Sequence, residues 1–281
     1  MAEQTIAILH PGDMGAAIGA RLRAKGLRVL WASAGRSAAT RSRAQAADLE
    51  DAGTLRAALS ATSIVLSVCP PHGALSLARE VAATRYRGVY VDANAIAPAT
   101  SREAALAIEA AGGTFVDGGI IGPPPREGTS ARLYLSGRDA ASIAPLFSSG
   151  ELVARALDGP VGAASALKAA YAAWNKGATA LAAAARTLAA EAGVGDALVA
   201  EWQGTQPDAL KRLEQLRGAA RKAWRWTGEM DEIAAAFAEA GLPDGFHVAA
   251  GQLYERLVAF KDADAAPPAD AIFAALRKHR E

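Results

Sequence analysis

Residues 162–192, GAASALKAAYAAWNKGATALAAAARTLAAEA, decide the layout of this 281-residue chain. Alanine dominates the stretch and no proline interrupts it, so helix propensity favours one continuous helix. At 1.5 Å per residue such a helix is about 45 Å long, more than the width of a small domain. A helix of that length joins two bodies. Lys168, Tyr171, Asn175 and Lys176 stand at i, i+3, i+7 and i+8 within it, which is one helical face. Before residue 162 the chain alternates short apolar runs with helical patterns, and after residue 192 it reads as helix throughout.

The first of the apolar runs, Thr5–Leu9, has the length and branching of a buried parallel strand. It ends in HPGDMG, and the next residues, AAIGARLRAKG, have helical periodicity closing on Gly26. Strand, tight glycine turn and helix form the context of a dinucleotide fingerprint. Gly12 and Gly15 occupy its second and third glycine positions, while His10 replaces the first. Gly12 lets the backbone approach a pyrophosphate and Gly15 lets the helix pack on the strand. His10, Pro11, Gly12, Asp13 and Met14 are therefore candidate cofactor-binding residues.

Residues 28–32 read as the second strand. A site for NAD usually places a carboxylate at its end, about 20 residues past the glycines. Here the chain continues Ser33-Ala34-Gly35-Arg36-Ser37, a hydroxyl-and-arginine loop suited to a 2′-phosphate. Ser33 and Arg36 predict NADP(H) in preference to NAD(H).

Further strands are expected at 63–68, 88–92, 114–117 and 133–136, with helices at about 72–83, 98–111 and 139–147. This alternation predicts a Rossmann-type α/β unit, a doubly wound parallel sheet whose ligands lie beyond the carboxyl ends of the strands. Residues 69–72, 93–98 and 118–125 all fall at those ends as loops, which adds Cys69, Pro70 and Asn94 to the cofactor set. Residues 148–160 carry turn residues, so the boundary is expected near there: a cofactor domain over 1–158 and a helical substrate and dimerisation domain over 159–281. Helices are expected at 195–203, 206–216, 230–240, 245–262 and 270–279.

Charge and composition narrow the partners. A net charge of +1 with interspersed signs gives no nucleic-acid or membrane footprint. The apolar run 177–185 is too short to span a bilayer, and MAEQTIAIL leads into a strand instead of a signal peptide. One cysteine suits a reducing compartment, and the four histidines lack metal-ligand spacing, so a cytoplasmic chain without a metal is expected. His10 and His72 read as structural or cofactor-adjacent, and His247 as a packing residue with its hydrogen bonds made. Trp224 and Trp226 read as core or interface.

With these residues in order, the chain resembles the β-hydroxyacid dehydrogenases and their relative 6-phosphogluconate dehydrogenase, most closely a phosphogluconate dehydrogenase-like branch. Four motifs carry the resemblance over nearly the whole length: HPGDMG; DANAIAP in the place of D-x-S-T-x-x-P; DGGIIGPP in the place of D-A-P-V-S-G-G; and Lys168 early in the interdomain helix. The resemblance implies hydride transfer between a nicotinamide cofactor and a small hydroxy acid or its carbonyl form. It makes Lys168 the general acid/base, since one group must take or return the hydroxyl proton. Tyr171 is placed to assist. The family's asparagine four residues beyond the lysine is Ala172 here, and Asn175 shares its face. Asn94, Gly119, Ile121 and Gly122 fall at the substrate-binding positions, with Ile121 where relatives carry a serine. A homodimer is expected, because the helical half is too thin to bury itself well. Imine reduction and cofactor binding without catalysis remain alternatives.

Overall fold

The central strands form because their residues are buried on both faces, which a parallel sheet covered by helices requires. The computed structural model describes residues 4–261 and 263–277 and contains two compact units, dividing between Ala169 and Ala170.

The first unit runs β1 (Thr5–Leu9), α1 (Asp13–Ala24), β2 (Arg28–Trp31), α2 (Ala38–Ala46), β3 (Glu50–Asp51), α3 (Leu55–Ser60), β4 (Ile64–Ser67) and α4 (Pro71–Ala83). It continues with β5 (Val89–Asp92), α5 (Pro98–Ala110), β6 (Thr114–Ile121), β7 (Ala131–Ser136), α6 (Ala140–Phe147), β8 (Leu152–Ala156) and the start of α7 (Ala163–Ala172), the helix within which the units divide. The strand order is β3-β2-β1-β4-β5-β6-β7-β8, so the chain reverses direction of winding between β1 and β4. Prolines at the first turns of α4 and α5 start those helices, where a missing N–H costs nothing. One core layer holds Ile6, Ile8, Val29, Leu66, Val116, Leu133 and Leu135. The other holds Ala7, Leu9, Val65, Tyr90 and Phe115 under Leu77, Val81 and Ile108.

Three expectations are corrected. The sheet is not wholly parallel: β7 is antiparallel to β6, because only a short connection joins them and a parallel return needs a crossover. Residues 118–121 are not loop but the continuation of β6. Residues 148–160 contain the edge strand β8, paired parallel to β7; of its five residues LVARA only Leu152 is buried, and Arg155 interrupts the apolar run, so it lacks the pattern of a core strand. Between 37 and 62, a stretch to which no element is assigned from the sequence, stand α2, β3 and α3, the two helices capped by Ser37 and Thr54.

The second unit contains only helices among its described residues: α8 (Ala178–Glu191), α9 (Gly195–Thr205), α10 (Pro207–Ala223), α11 (Trp226–Glu239), α12 (Gly245–Glu255), a 3₁₀ turn (Arg256–Phe260) and α13 (Ala269–Leu276). Asp262 and His279, at the ends of two expected helices, lie outside the described residues. A π-helical turn, Ala173–Gly177, precedes α8. Its wide turn frees backbone carbonyls, and side chains take them up. Asn175 O accepts from Thr179 Oγ1 at 2.7 Å and Arg212 Nη1 at 3.2 Å, and Lys176 O accepts from Tyr254 OH at 2.6 Å. The extra residue breaks the 3.6 spacing that placed Lys176 on one face with Lys168. Lys176 instead pairs with Glu229 and lies 5.2 Å from the centroid of the Trp226 ring. His247 is buried, edge-on to Phe237, but its Nδ1 has no hydrogen-bond partner. The histidine therefore packs without being satisfied.

Candidate active site

The glycine turn is built as its sequence demands, with one substitution explained. His10 has a φ of +63°, the left-handed conformation that the first glycine of the fingerprint supplies. Histidine is among the few side chains that enter this region readily. Gly12 N donates to His10 O at 2.7 Å, closing the turn. A methyl on Gly15 would stand 3.0 Å from His10 O and 3.4 Å from Ile8 Cγ2, so only glycine lets α1 approach β1 this closely. A methyl on Gly12 would meet only His10 O, at 4.0 Å, so space lies open before its backbone. The N-terminus of α1 has no side-chain cap, and its first donors face that space. Asp13 in the first turn is paired with Arg126 from the β6–β7 connection. Met14 and Pro11 flank the turn.

At the end of β2, Ser33 is buried and Arg36 reaches back to the glycine turn, its Nη1 3.0 Å from His10 Nδ1. Arginine can only donate, so His10 Nδ1 accepts and the ring proton sits on Nε2. Burial and, second, the Arg36 charge pull the His10 pKa from 6.5 down to about 4. A folded pKa below the unfolded one means the unfolded chain binds the extra proton. His10 therefore supports the fold above pH 6.5 and loses that support as pH falls towards 4. Replacing His10 by asparagine, which also tolerates positive φ, should flatten that part of a melting-temperature profile taken from pH 8 to 4. Identical profiles would assign the acid sensitivity to other groups. The Arg36 Nε is buried without a partner. A carboxylate does stand nearby: Asp51 on β3 lies in register with Trp31 and accepts from Gly53 N at 2.7 Å.

The loops after β4 and β5 are tied together by Asn94, which is 2 % exposed. Its Oδ1 accepts from Cys69 N at 2.5 Å and its Nδ2 donates to Ser67 Oγ at 3.0 Å. Burial pushes the Cys69 thiol up to about 12, which leaves it unreactive as a nucleophile. His72 is exposed in the first turn of α4.

Strand β6 carries the far wall. Leu9, Ser67, Asp92 and Asp117 lie in one register line across β1, β4, β5 and β6. β6 then continues through Gly118, Gly119, Ile120 and Ile121, about 13 Å beyond the carboxyl ends of its parallel neighbours. Lys168 is held against this projection. A methyl on Gly119 would be 2.6 Å from Ala164 O and 2.9 Å from Lys168 Cβ, so α7 lies directly on the strand. Ile121 is buried and Gly122 has a φ of +119° at the hairpin connection.

Sequence reading missed the group that fixes α7 there. Asp117 is fully buried and accepts five hydrogen bonds. Oδ1 takes Ser101 Oγ at 2.8 Å and Ser165 Oγ at 2.5 Å; Oδ2 takes Ser136 Oγ at 2.9 Å, Gly162 N at 3.0 Å and Ser165 N at 3.0 Å. Ser136 Oγ in turn accepts from Ala164 N at 3.0 Å. The carboxylate thus caps the helix that carries Lys168 and joins it to the sheet. The available signal was an acid inside the apolar run TFVDGGII, which demands buried donors.

The structure brings His10, Gly12, Asp13 and Arg36 together, and Cys69 with Asn94. It places Gly119 under Lys168. Tyr171 is 45 % exposed, and Asn175 lies in the π turn of the second unit. A concavity of about 1050 Å³ at the opposite ends of β6–β8, beside Thr114, Arg138, Asp158 and Pro160, is remote from all of them. Among the described residues, no group of His, Cys, Asp and Glu could hold a metal, and no helix is long and apolar enough to cross a membrane.

Comparison with known proteins bears on both units. Residues 189–257 match the family described as "Domain of unknown function (DUF1932)". No curated protein matches the sequence significantly. Among solved structures, the conserved protein MTH1747, described as structurally similar to 3-hydroxyacid dehydrogenases, is 28% identical. That match covers 96% of this chain and 99% of the other at a TM-score of 0.70. A Mycobacterium tuberculosis 3-hydroxyisobutyrate dehydrogenase solved with L-serine is 19% identical, covering 98% and 99% at 0.72. A Streptomyces aurantiacus imine reductase is 20% identical, covering 98% and 100% at 0.53. The chain is similar over nearly its whole length to the 3-hydroxyacid dehydrogenases and shares their fold, a mostly parallel nucleotide-binding-type sheet followed by a helical domain.

Proposed function

We propose that this protein is an NADP-dependent oxidoreductase that moves a hydride between the nicotinamide and a small hydroxy acid or its carbonyl form. The observation that carries the reading is the open, uncapped glycine turn at the carboxyl ends of β1 and β4, with a lysine seated on the strand that walls the same end of the sheet. The residues present fit a dinucleotide. The first amides of α1 would receive the pyrophosphate, Gly12 would allow its close approach, and the Arg36 guanidinium, bonded to His10 through Nη1 but with its Nε unpartnered, would meet a 2′-phosphate. A bound nicotinamide supplies or accepts the hydride. The chain's own part is the proton: Lys168 Nζ takes it from the hydroxyl during oxidation and returns it to the carbonyl oxygen during reduction. The likeness to 3-hydroxyacid dehydrogenases, one of them solved with a small amino acid, supports a small acid as substrate.

Titration of NADPH and NADH, followed by tryptophan fluorescence, tests the cofactor. Tight NADPH and weak NADH binding is expected, and failure of both to bind would end the dehydrogenase reading. Arg36→Ala should weaken NADPH at least tenfold and NADH little; equal weakening removes Arg36 as the 2′-phosphate ligand. The likeness to an imine reductase supports a second reading, and turnover of cyclic imines but not of hydroxy acids would favour it.

A homodimer in the cytoplasm belongs to the same proposal. Leu181 and Leu188, seven residues apart on α8, are 71% and 72% exposed, and Trp174 in the π turn is 69% exposed, apolar surface that a monomer rarely shows to water. Light scattering should report a dimer for the wild type and a monomer for Leu181→Glu/Leu188→Glu. A monomeric wild type would exclude the dimer.

A further inference from the structure

We propose that Arg132 and Tyr134 form an oxyanion-binding pair beside Lys168, which holds the acid group of the substrate. Along β7 the residues alternate: Ala131, Leu133 and Leu135 are fully buried in the core, which leaves Arg132, Tyr134 and Ser136 on the opposite face. That face is the one covered by α7. Ser136 stands opposite Asp117 and bonds it, Tyr134 stands opposite Gly119, and Arg132 stands opposite Ile121. Directly opposed residues project to the same side, and the Gly119 side is where Lys168 lies. The wall therefore presents, in order from the buried Asp117 clamp outwards, Lys168 with Tyr134 and then Arg132. Arg132 lies about 7 Å further along the projecting hairpin.

Both groups are only partly exposed, and among the described residues neither makes a hydrogen bond or ion pair. Arg21, Arg23, Arg28, Arg79 and Arg126 of the same unit each have a carboxylate partner; Arg132 is half-buried and has none among the described residues. A half-buried guanidinium without a counter-charge is costly to keep, and a bound anion removes that cost through two parallel hydrogen bonds. Arg155, opposite Tyr134 on β8, adds positive charge on the same face. A carboxylate held by Arg132 and the Tyr134 hydroxyl would put the neighbouring carbinol or carbonyl carbon of a short acid towards Lys168. That last link rests on the dehydrogenase reading; the anion site does not.

Calorimetric titration of malonate and, separately, inorganic phosphate tests it, with and without NADPH. The proteins compared are the wild type, Arg132→Ala, Arg132→Lys, Tyr134→Phe and Arg138→Ala, an exposed arginine at the other end of β7. Wild type and Arg138→Ala should bind malonate alike. Arg132→Ala should raise Kd at least tenfold, with Arg132→Lys intermediate and Tyr134→Phe raised severalfold. Arg132→Lys keeps the charge, so it reports on the site even if the alanine variant folds poorly. A preference for phosphate that still depends on Arg132 keeps the oxyanion pair and makes the substrate a phosphate ester. No binding by the wild type, or binding indifferent to Arg132, overturns the proposal. Arg132-dependent malonate binding in a protein that ignores NADPH leaves the pair standing and removes the dehydrogenase.

Discussion

Asp117→Ala should lower the midpoint of thermal unfolding by about 10 °C. The substitution strips the partner from two backbone amides and from serine hydroxyls that sit in a fully buried layer. Removing one side of a buried charged network costs about 3–5 kcal/mol, because the orphaned donors keep their desolvation penalty. In a chain of this size each kcal/mol shifts the midpoint by roughly 2–4 °C. Asp117→Asn keeps one carbonyl oxygen for Gly162 N and Ser165 N, and the serine hydroxyls can rotate to accept from its amide. About half of the loss should therefore return. Calorimetry of the three proteins decides the matter. A midpoint for Asp117→Ala within 2 °C of wild type would show that water replaces the carboxylate, and that the start of α7 is not clamped.

The parts of this fold that were legible in the sequence are those specified locally. Apolar runs of strand length, glycine and proline punctuation, and the alanine-rich helix each carry their own signal, and together they imply the alternating first unit and the helical second unit. At position 10 the signal misled in a telling way. Counting glycines weakened the fingerprint, whereas the backbone asks only for positive φ, which His10 supplies. What was not legible depends on partners distant in sequence. The extension of β6 over Gly118–Ile121 exists because β7 pairs with it, and without that pairing the glycines and Ile121 read as loop. The edge strand β8 depends on β7 in the same way. The π turn depends on Thr179, Arg212 and Tyr254 filling its carbonyls, so a one-dimensional helical wheel set Lys176 on the wrong face. The Asp117 clamp draws donors from Ser101, Ser136 and Ser165, and no local pattern links them.

Lys168→Ala should abolish turnover while leaving NADPH affinity within about twofold of wild type. The reasoning is positional and chemical together. Gly119 admits α7 so closely that Lys168 Cβ lies against the strand, and the Asp117 clamp fixes the turn before it. An amine held there offers what its carbon stem does not: a positive charge and a proton that can be exchanged. General acid–base groups contribute about 10²–10⁴ in rate, so the alanine variant should lose at least that factor in kcat on any hydroxy acid or carbonyl compound the wild type converts. Lys168→Arg separates charge from proton transfer, since a guanidinium keeps the positive charge but cannot give up its proton. If Lys168 exchanges a proton, the arginine variant should be as inactive as the alanine variant. Recovery of wild-type kcat by arginine would show that the position supplies charge alone. Turnover retained by both variants would move the acid/base role elsewhere, with the exposed Tyr171 hydroxyl the next group to replace, by phenylalanine.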